Sequence, residues 1–410
     1  MRSPAADGPR PASWVGALNA VLGPVSPRAS IETAQRTASR RTGLPARTDD
    51  QVFVDDMRVL ADAIRAAPAL SPIGRLGTQE ELTRRLETRL RMRHLLDQDP
   101  SVAHRPVDRP IIITGLPRTG TTVLHRMLGV HPAVRAPALW ELLGPASLGR
   151  EDEKLIKAAR RMSSMYHRSM PEMRTVHPLD PFGPEECVFL LPHSDQFDGV
   201  VPVPAYRAWY ADRDVRPDYA YYRHQLQAMQ TRDDPARWVL KSPYHLGRLD
   251  VVLDTFPDAT IVMTHRDPAA ALLSWCYFME GSRRLYNTVV DPHEIGATWL
   301  GIWTTAVTRA RAVRQAHPGR FVDVDYAALS EAPVPVAAGV AARLGLADSP
   351  SWQRLATAEA RRDGHTARTG DRPQRPSLAR YGLDASTVRR DLTLPPATTG
   401  NDAREADSAG

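Results

Sequence analysis

The stretch RPIIITGLPRTGTTVLHRML, residues 109–128, decides the fold of this chain. Its run of three isoleucines, residues 111–113, predicts a buried strand, and the residues after Gly120 follow helical spacing. Gly115 and Gly120 permit the tight backbone turn between the two elements. Because backbone N–H groups at a helix start converge on one point and the helix dipole adds partial positive charge there, the stretch predicts an anion cradle.

The side chains of this loop also favour an anionic ligand. Arg118 carries a planar fork of N–H donors that suits an oxyanion. The lysine that ATP- and GTP-binding loops place after the second glycine is replaced by Thr121, and ATIVMTHRD (259–267) reaches Arg266 before any carboxylate. The ligand is therefore expected to lack a γ-phosphate and its metal ion. The candidate binding residues of the loop are Pro117, Arg118, Thr119, Gly120, Thr121 and Thr122.

The pattern beyond this loop predicts an α/β protein with a P-loop-type three-layer fold and a parallel central sheet. Short apolar runs predict strands at 110–114, 238–242, 259–266 and 321–326, and helical spacing fills 120–130, 244–256, 268–279, 294–316 and 333–344. Residues 1–105 read as a helical N-terminal region, and 106–392 as the main domain. Within it, helices and loops of 150–235 are expected to shape an acceptor pocket, and 393–410 is expected to be a disordered tail.

Composition narrows the function classes. The chain has 410 residues and a net charge of +6, which suits an anionic ligand, but it contains no nucleic-acid-binding motif. No apolar run approaches a membrane span, and the N-terminus does not resemble a signal peptide. Cys187 and Cys276 form neither a metal-ligand pattern nor a disulfide framework, so a cytoplasmic setting is expected. Only three lysines occur, at 154, 157 and 241, among 53 basic residues.

Two motifs in the same order resemble those of sulfotransferases that use 3′-phosphoadenosine 5′-phosphosulfate (PAPS). GLPRTGTT (115–122) is similar to their 5′-phosphosulfate loop. VMTHRDPAAALLSW (262–275) places Arg266 eight residues before Ser274, the pair that holds the 3′-phosphate in that family. LKSPYHL (240–246) and PSLARYGLD (376–384) resemble its bacterial branch. The resemblance implies PAPS as cosubstrate, a small-molecule acceptor with a hydroxyl, phenol or amine, and no required metal.

The transfer needs a base for the acceptor proton and a positive charge on the bridging oxygen. The resemblance implies Glu141, in RAPALWELLGP (135–145), as the base. Glu185 and Glu186 in GPEEC (183–187) are the alternative, and His245 is a third option. Lys241, at the end of a predicted parallel strand where ligands meet α/β sheets, is the candidate for the bridging oxygen. Arg118 is expected to share that role.

Further nucleotide contacts follow from the same resemblance. Tyr326 in FVDVDYAAL (321–329) resembles a tyrosine that packs near the adenine, although the acidic residue that usually follows it is missing. A C-terminal basic loop closes over the 3′-phosphate in relatives, and here Arg368, Arg372 and Arg375 are its candidates.

Two other functions stay open at this stage: a P-loop nucleotide-dependent kinase whose loop has diverged, and a non-catalytic nucleotide-binding protein. The oligomeric state is not predicted. Trp299 and Trp303, four residues apart on a helix, have core spacing. An aromatic or amphipathic acceptor is suggested by a group of rings at Tyr206, Trp209, Tyr210, Tyr219, Tyr221 and Tyr222.

Overall fold

One parallel sheet organises the protein. The computed structural model describes residues 8–23, 26, 28–147, 149, 151–230, 237–368 and 376–394. Within these residues five strands pair in the order β2-β3-β1-β4-β5, all parallel. They are β1 (Ile111–Gly115), β2 (Val134–Arg135), β3 (Arg237–Lys241), β4 (Thr260–His265) and β5 (Phe321–Asp325). The predicted α/β fold is confirmed, and the bounds of the four predicted strands differ by at most one residue from those observed.

The strands are buried on both faces, which explains why they read as continuous apolar runs. Alternate residues of a strand point to opposite faces. Ile112 belongs to a core that also contains Trp299, whereas Ile111 and Ile113 belong to a second core with Leu124. The sheet is therefore the middle layer between two helical layers.

Helices dominate the chain before the first strand. In the described part of this region they are α1 (Ser13–Leu22), α2 (Ile31–Thr42), α3 (Gln51–Ala66) and α4 (Pro72–Gln98). The predicted helical character of residues 1–105 is thus confirmed for the residues described. Leu82 and Leu86 of α4 pack in the same core as Ile112, so these helices share the core of the sheet.

The remaining helices cover the sheet and its carboxyl edge. Between β1 and β4 lie α5 (Thr121–Gly129), α6 (Leu139–Leu142), α7 (Asp152–Ser169), α8 (Met173–Val176), α9 (Pro204–Asp212), α10 (Arg216–Met229) and α11 (Leu249–Thr255). After β4 lie α12 (Pro268–Tyr286), α13 (Pro292–Ala316), α14 (Tyr326–Glu331), α15 (Pro333–Arg343), α16 (Pro350–Arg368) and α17 (Ala385–Leu392). The predicted tail lies outside the described residues from 395 onward.

The order of the strands creates a topological switch point at β1. The chain runs from β1 outward to β2 and back to β3, then crosses to the other side of β1 to form β4 and β5. Ligands of open α/β sheets bind at the carboxyl ends of the strands where the order reverses. The loop after β1, Lys241 at the end of β3 and Arg266 after β4 all lie at this edge.

A close contact joins α13 to the C-terminal segment and yields a stability test. A Cβ atom at Gly296 would lie 2.0 Å from the carbonyl oxygen of Tyr381, whereas one at Gly301 of the same helix meets no heavy atom within 4 Å. We expect Gly296→Ala to lower the free energy of unfolding by about 1–3 kcal/mol, since overpacking forces the two segments apart. The matched control Gly301→Ala should raise it by about 0.5–1 kcal/mol through helix propensity. Urea unfolding of both variants checks this; equal effects would contradict the contact.

Candidate active site

The loop after β1 has a backbone that only glycine and a strained residue can supply. Gly115, Arg118 and Gly120 have φ values of 141°, 68° and 88°. A Cβ atom at Gly115 would lie 2.6 Å from the carbonyl oxygen of Thr264, so a side chain is excluded there. Helix α5 begins directly after the loop, at the buried Thr121. The N–H groups of the loop and of the first helical turn therefore lie at the carboxyl edge, as an anion site requires.

Side chains within the loop hold its shape. The hydroxyl of Thr119 lies 2.6 Å from the carbonyl oxygen of Leu116 and 2.6 Å from the hydroxyl of Thr264 on β4. Thr119 and Pro117 are buried, whereas Thr122 is half-buried. The Thr119 hydroxyl is thus engaged inside the protein, and a contact from this predicted binding residue to an anion would come from its backbone N–H.

Arg118 joins two elements that are far apart in the sequence. Its Nε donates to the hydroxyl of Ser274 on α12 over 3.2 Å, and its Nη1 donates to the carbonyl oxygen of Val176 in α8 over 2.7 Å. Ser274 is buried. Two residues that the sequence assigned to separate anions are therefore in direct contact.

Arg266 completes this group on the other side of the loop. Its Nη1 donates to the carbonyl oxygen of Arg118 over 2.8 Å, and its guanidinium carbon lies 4.3 Å from the centroid of the Tyr326 ring. A guanidinium at this distance from an aromatic face is attracted by the ring quadrupole. We call Arg118, Arg266, Ser274 and Tyr326 the donor cluster; it lies where β1, β4 and β5 end.

A buried ion pair lies at the end of β3. The Nζ atom of Lys241 is 2.7 Å from Oε1 of Glu186, and the exposed fractions of the two side chains are 1% and 20%. Such a pair is costly to desolvate, because each charge loses its water. Its position at the same sheet edge as the donor cluster makes it the candidate for chemistry.

The residues beside this pair add a second carboxylate and a histidine. Oε1 of Glu185 accepts the backbone N–H of Glu186 over 2.8 Å, and Nε2 of His177 is 3.7 Å from the same oxygen. Burial lowers the pKa of His177 to about 3. The negative charge of Glu186 raises this pKa, whereas the positive charges of Lys241 and Arg118 lower it further. The sequence did not predict His177 as a site residue, because no motif contains it.

Glu141, the base expected from the resemblance, lies in a different environment. Its Oε2 accepts the backbone N–H of Ala138 over 2.8 Å, and its Oε1 is 2.5 Å from Nη2 of Arg135. The Arg135 guanidinium in turn lies over the ring of Trp238. Both carboxylate oxygens thus have partners that cap α6 and hold β2, and these contacts give Glu141 a structural role in the fold.

His245, the third candidate for the base, is enclosed by other side chains. Its Nδ1 is 2.8 Å from the hydroxyl of Tyr219, and its Nε2 is 3.2 Å from the sulfur of Cys187. Burial lowers the pKa of His245 to about 3 and raises that of Cys187 to about 12. At neutral pH both are uncharged, so this group reads as a buried hydrogen-bonded network.

The aromatic residues require a correction. Five of the six rings taken as a hint to the acceptor are buried in the main core: Tyr206, Tyr210, Tyr219, Tyr221 and Tyr222. The reason is helical spacing on α9 and α10, whose apolar faces pack inward. Trp299 and Trp303 are also buried, as their spacing predicted.

Another series of ring contacts begins at His177, which lies near Glu185. His177 and Phe278 have ring centroids 5.3 Å apart, Phe278 and Trp275 5.5 Å, and Trp275 and Tyr244 6.4 Å. Tyr244 follows Lys241 by three residues. These contacts thus connect His177, near Glu185, with Tyr244, which follows the end of β3.

Some expectations lie outside what the structure describes. Of the three candidates from the C-terminal basic loop, Arg368 is the last residue of α16, and Arg372 and Arg375 are not among the described residues. The division at 105 remains a prediction. In the described part of the chain, no group of three or more His, Cys, Asp or Glu is placed to hold a metal ion. Likewise, none of the described helices is long and apolar enough to cross a membrane.

Comparisons with known proteins agree with this fold. The profile of the Sulfotransferase family matches residues 110–350. Among solved structures, the sulfotransferase STF1 from Mycobacterium tuberculosis H37Rv is 29% identical, with a TM-score of 0.74 over 90% of this chain and 99% of that one. The sulfotransferase STF9 from Mycobacterium avium is 24% identical and has the same fold, with a TM-score of 0.76 over 89% of this chain and 95% of that one. Curated proteins gave no match.

The family profile covers more than half of the chain, from the start of β1 to the first residue of α16. This range includes the loop after β1, the donor cluster and the Lys241–Glu186 pair. The chain therefore belongs to the Sulfotransferase family.

Proposed function

We propose that this enzyme transfers the sulfuryl group from PAPS to a hydroxyl, phenol or amine of a small molecule. The observation that carries the proposal is that the donor cluster and the Lys241–Glu186 pair lie at the carboxyl ends of strands in one sheet, with β1 and β3 as direct neighbours. The cluster offers donors for two anions, and the pair offers a cation and a carboxylate. A molecule that carries two separate anions and a group to be transferred fits this arrangement.

In this assignment the loop N–H groups and Arg118 hold the phosphosulfate, and Arg266 with Ser274 holds the 3′-phosphate. Charge-assisted hydrogen bonds from arginine to such oxygens are about twice as strong as neutral ones. The Tyr326 ring packs against the Arg266 guanidinium. Contacts of Tyr326 with the adenine, and of Arg372 with the 3′-phosphate, remain part of the proposal.

The chemistry uses the ion pair at the end of β3. As the acceptor oxygen attacks sulfur, its proton passes to a carboxylate, and the bond from sulfur to the bridging oxygen breaks. The negative charge that develops on the departing phosphate is stabilised by the Lys241 ammonium and by Arg118. The sulfuryl group carries less negative charge than a phosphoryl group, so no metal clamp is required.

Among the carboxylates, Glu186 is the base that the contacts favour. It lies 2.7 Å from the cation proposed for the bridging oxygen and is partly exposed, so an acceptor can reach it. Glu185 is more buried and accepts a backbone N–H, and Glu141 pairs with Arg135. A base must lie within hydrogen-bond reach of the acceptor proton, so the position of a carboxylate is considered before its pKa.

The two alternative functions, a nucleotide-dependent kinase and a non-catalytic nucleotide-binding protein, require other features in the site. A kinase of this fold uses the loop lysine on the β- and γ-phosphates with Mg²⁺, whereas this loop has Thr121 at that position. A purely binding protein needs no buried ammonium beside a carboxylate, and desolvating that pair costs free energy. Transfer of labelled sulfate from PAPS to a small-molecule acceptor would exclude both.

Nucleotide binding gives a direct test of the donor cluster. We expect 3′,5′-ADP without metal to raise the melting temperature more than ATP with Mg²⁺ does. Arg266→Ala should weaken binding of 3′,5′-ADP by about 10- to 150-fold, the range for a lost bond to a charged group, and change binding of 5′-AMP far less. The control Arg390→Ala removes an exposed arginine of α17 and should change neither affinity. Equal losses for both nucleotides in titration calorimetry would place Arg266 elsewhere.

The identity of the base can be tested with three matched variants, Glu141→Gln, Glu185→Gln and Glu186→Gln. We expect Glu186→Gln to lower kcat by about 10²- to 10⁴-fold while PAPS still binds. Glu141→Gln should lower the melting temperature, because the pair with Arg135 is lost, yet keep kcat near the wild-type value. Single-turnover transfer and 3′,5′-ADP titration measure both; a kcat loss confined to Glu141→Gln would make that residue the base.

Lys241 requires a variant that separates stability from catalysis. Lys241→Met leaves the partly exposed Glu186 without its partner, so unfolding should become easier by about 1–3 kcal/mol, less than for a fully buried pair. The double variant Lys241→Met with Glu186→Gln should recover much of that stability but not the transfer rate. In both, we expect the rate to fall far more than affinity for 3′,5′-ADP. A defect in affinity alone, measured by titration, would assign Lys241 to nucleotide binding instead.

A further inference from the structure

A histidine that the proposed function does not use lies directly before Arg266. His265 is the last residue of β4, and its Nε2 is 2.5 Å from Oδ1 of Asp323 on β5. Its Nδ1 is 3.1 Å from the backbone carbonyl oxygen of Leu394. A carbonyl oxygen accepts hydrogen bonds and cannot donate them. Nδ1 must therefore carry a proton to make this contact.

The state of the second nitrogen follows from the surroundings of Asp323. Nη1 and Nη2 of Arg314 donate to the two oxygens of this carboxylate over 2.9 and 3.0 Å. A carboxylate held by both branches of a guanidinium is ionised and accepts only. Both ring nitrogens of His265 thus face acceptor atoms, and only a ring with an N–H group at each nitrogen can donate to both.

This network fixes the end of β4 from three elements. Arg314 comes from α13, Asp323 from β5, and Leu394 follows α17. A second link ties α17 to the same turn, since Nε of Arg389 is 2.8 Å from Oδ1 of Asp267. The contacts on both sides of Arg266, at 265 and 267, thus hold the turn that carries it.

Successive side chains at the end of a strand point to opposite faces. His265 reaches Asp323 on one face, and Arg266 reaches the carbonyl oxygen of Arg118 on the other. A rotation of the backbone at His265 would therefore move the Arg266 guanidinium relative to Ser274. The position of Arg266 depends on how firmly the preceding residue is held.

We propose that His265 is a doubly protonated positioning residue, which aims Arg266 and thereby sets the selectivity of the enzyme for a 3′-phosphorylated nucleotide. The proposal rests on the proposed function, because it assigns the 3′-phosphate to Arg266 and Ser274. His265 itself does not touch the nucleotide. Its contribution acts through the orientation of Arg266 and through the additional positive charge beneath the turn.

His265→Gln tests the positioning role. A glutamine side chain has one amide donor group and one carbonyl acceptor, so it cannot donate at both places that the two ring nitrogens reach. We expect affinity for 3′,5′-ADP to fall about tenfold, near the lower limit for a lost charged contact, and affinity for 5′-AMP to stay within about twofold. The matched control His317→Gln, at an exposed position after α13, should alter neither affinity.

A spectroscopic measurement on the wild-type enzyme tests the protonation independently. In protein labelled with ¹⁵N-histidine, both ring nitrogens of His265 should show the shift and proton coupling of N–H groups at neutral pH. The loss of these signals in His265→Gln assigns them. If one ring nitrogen lacks a proton, or if the variant weakens both nucleotides equally or neither, the proposal is overturned. Should the variant fail to fold, the wild-type spectrum still decides the protonation.

The experiment distinguishes a failure of the inference about His265 from a failure of the proposed function. If wild-type enzyme binds 3′,5′-ADP no better than 5′-AMP, the assignment of the 3′-phosphate fails and the positioning role with it. If wild type discriminates and His265→Gln discriminates equally well, only the inference about His265 is wrong.

Discussion

The contact between the loop after β1 and the end of β4 is the constraint on which this site depends. Gly115 allows the backbone of β1 to approach Thr264, and the Thr119 hydroxyl bonds the hydroxyl of the same residue. Arg266 then donates to the carbonyl oxygen of Arg118, whose left-handed backbone turns that oxygen toward it. Loop and strand end thus hold one another. The two anion sites that we propose, from distant parts of the sequence, therefore share one set of contacts.

The ion pair at the end of β3, to which we assign the chemistry, is costly for the fold. Lys241 is withdrawn from water and Glu186 is largely so, and a well-packed apolar pair of similar volume is often as stable or more stable. Burial also strengthens the field of each charge, because the local dielectric constant is low. A site that must stabilise charge only while a bond breaks gains from such a preorganised environment.

Local patterns in the sequence were enough to predict the sheet and the loop. Buried parallel strands are continuous apolar runs, so β1, β3, β4 and β5 stand out, whereas β2 has two residues and no pattern of its own. The spacing of Arg266 and Ser274 also depends only on local geometry. The contact of Glu186 does not depend on local geometry, since its partner Lys241 lies 55 residues away along the chain. The likeness to relatives favoured Glu141, and no local signal showed that Arg135 engages it.

Arg118 bonds Ser274 with one nitrogen and the carbonyl oxygen of Val176 with another. The donor cluster and the α8 segment that precedes His177 are therefore linked through Arg118. Any molecule that draws this guanidinium toward itself changes the free energy of the Val176 contact. Linkage then requires reciprocity: a change at α8 alters affinity at the loop by the same factor. Two substrates that meet across such a residue cannot bind with complete independence, even though neither touches the other's recognition groups.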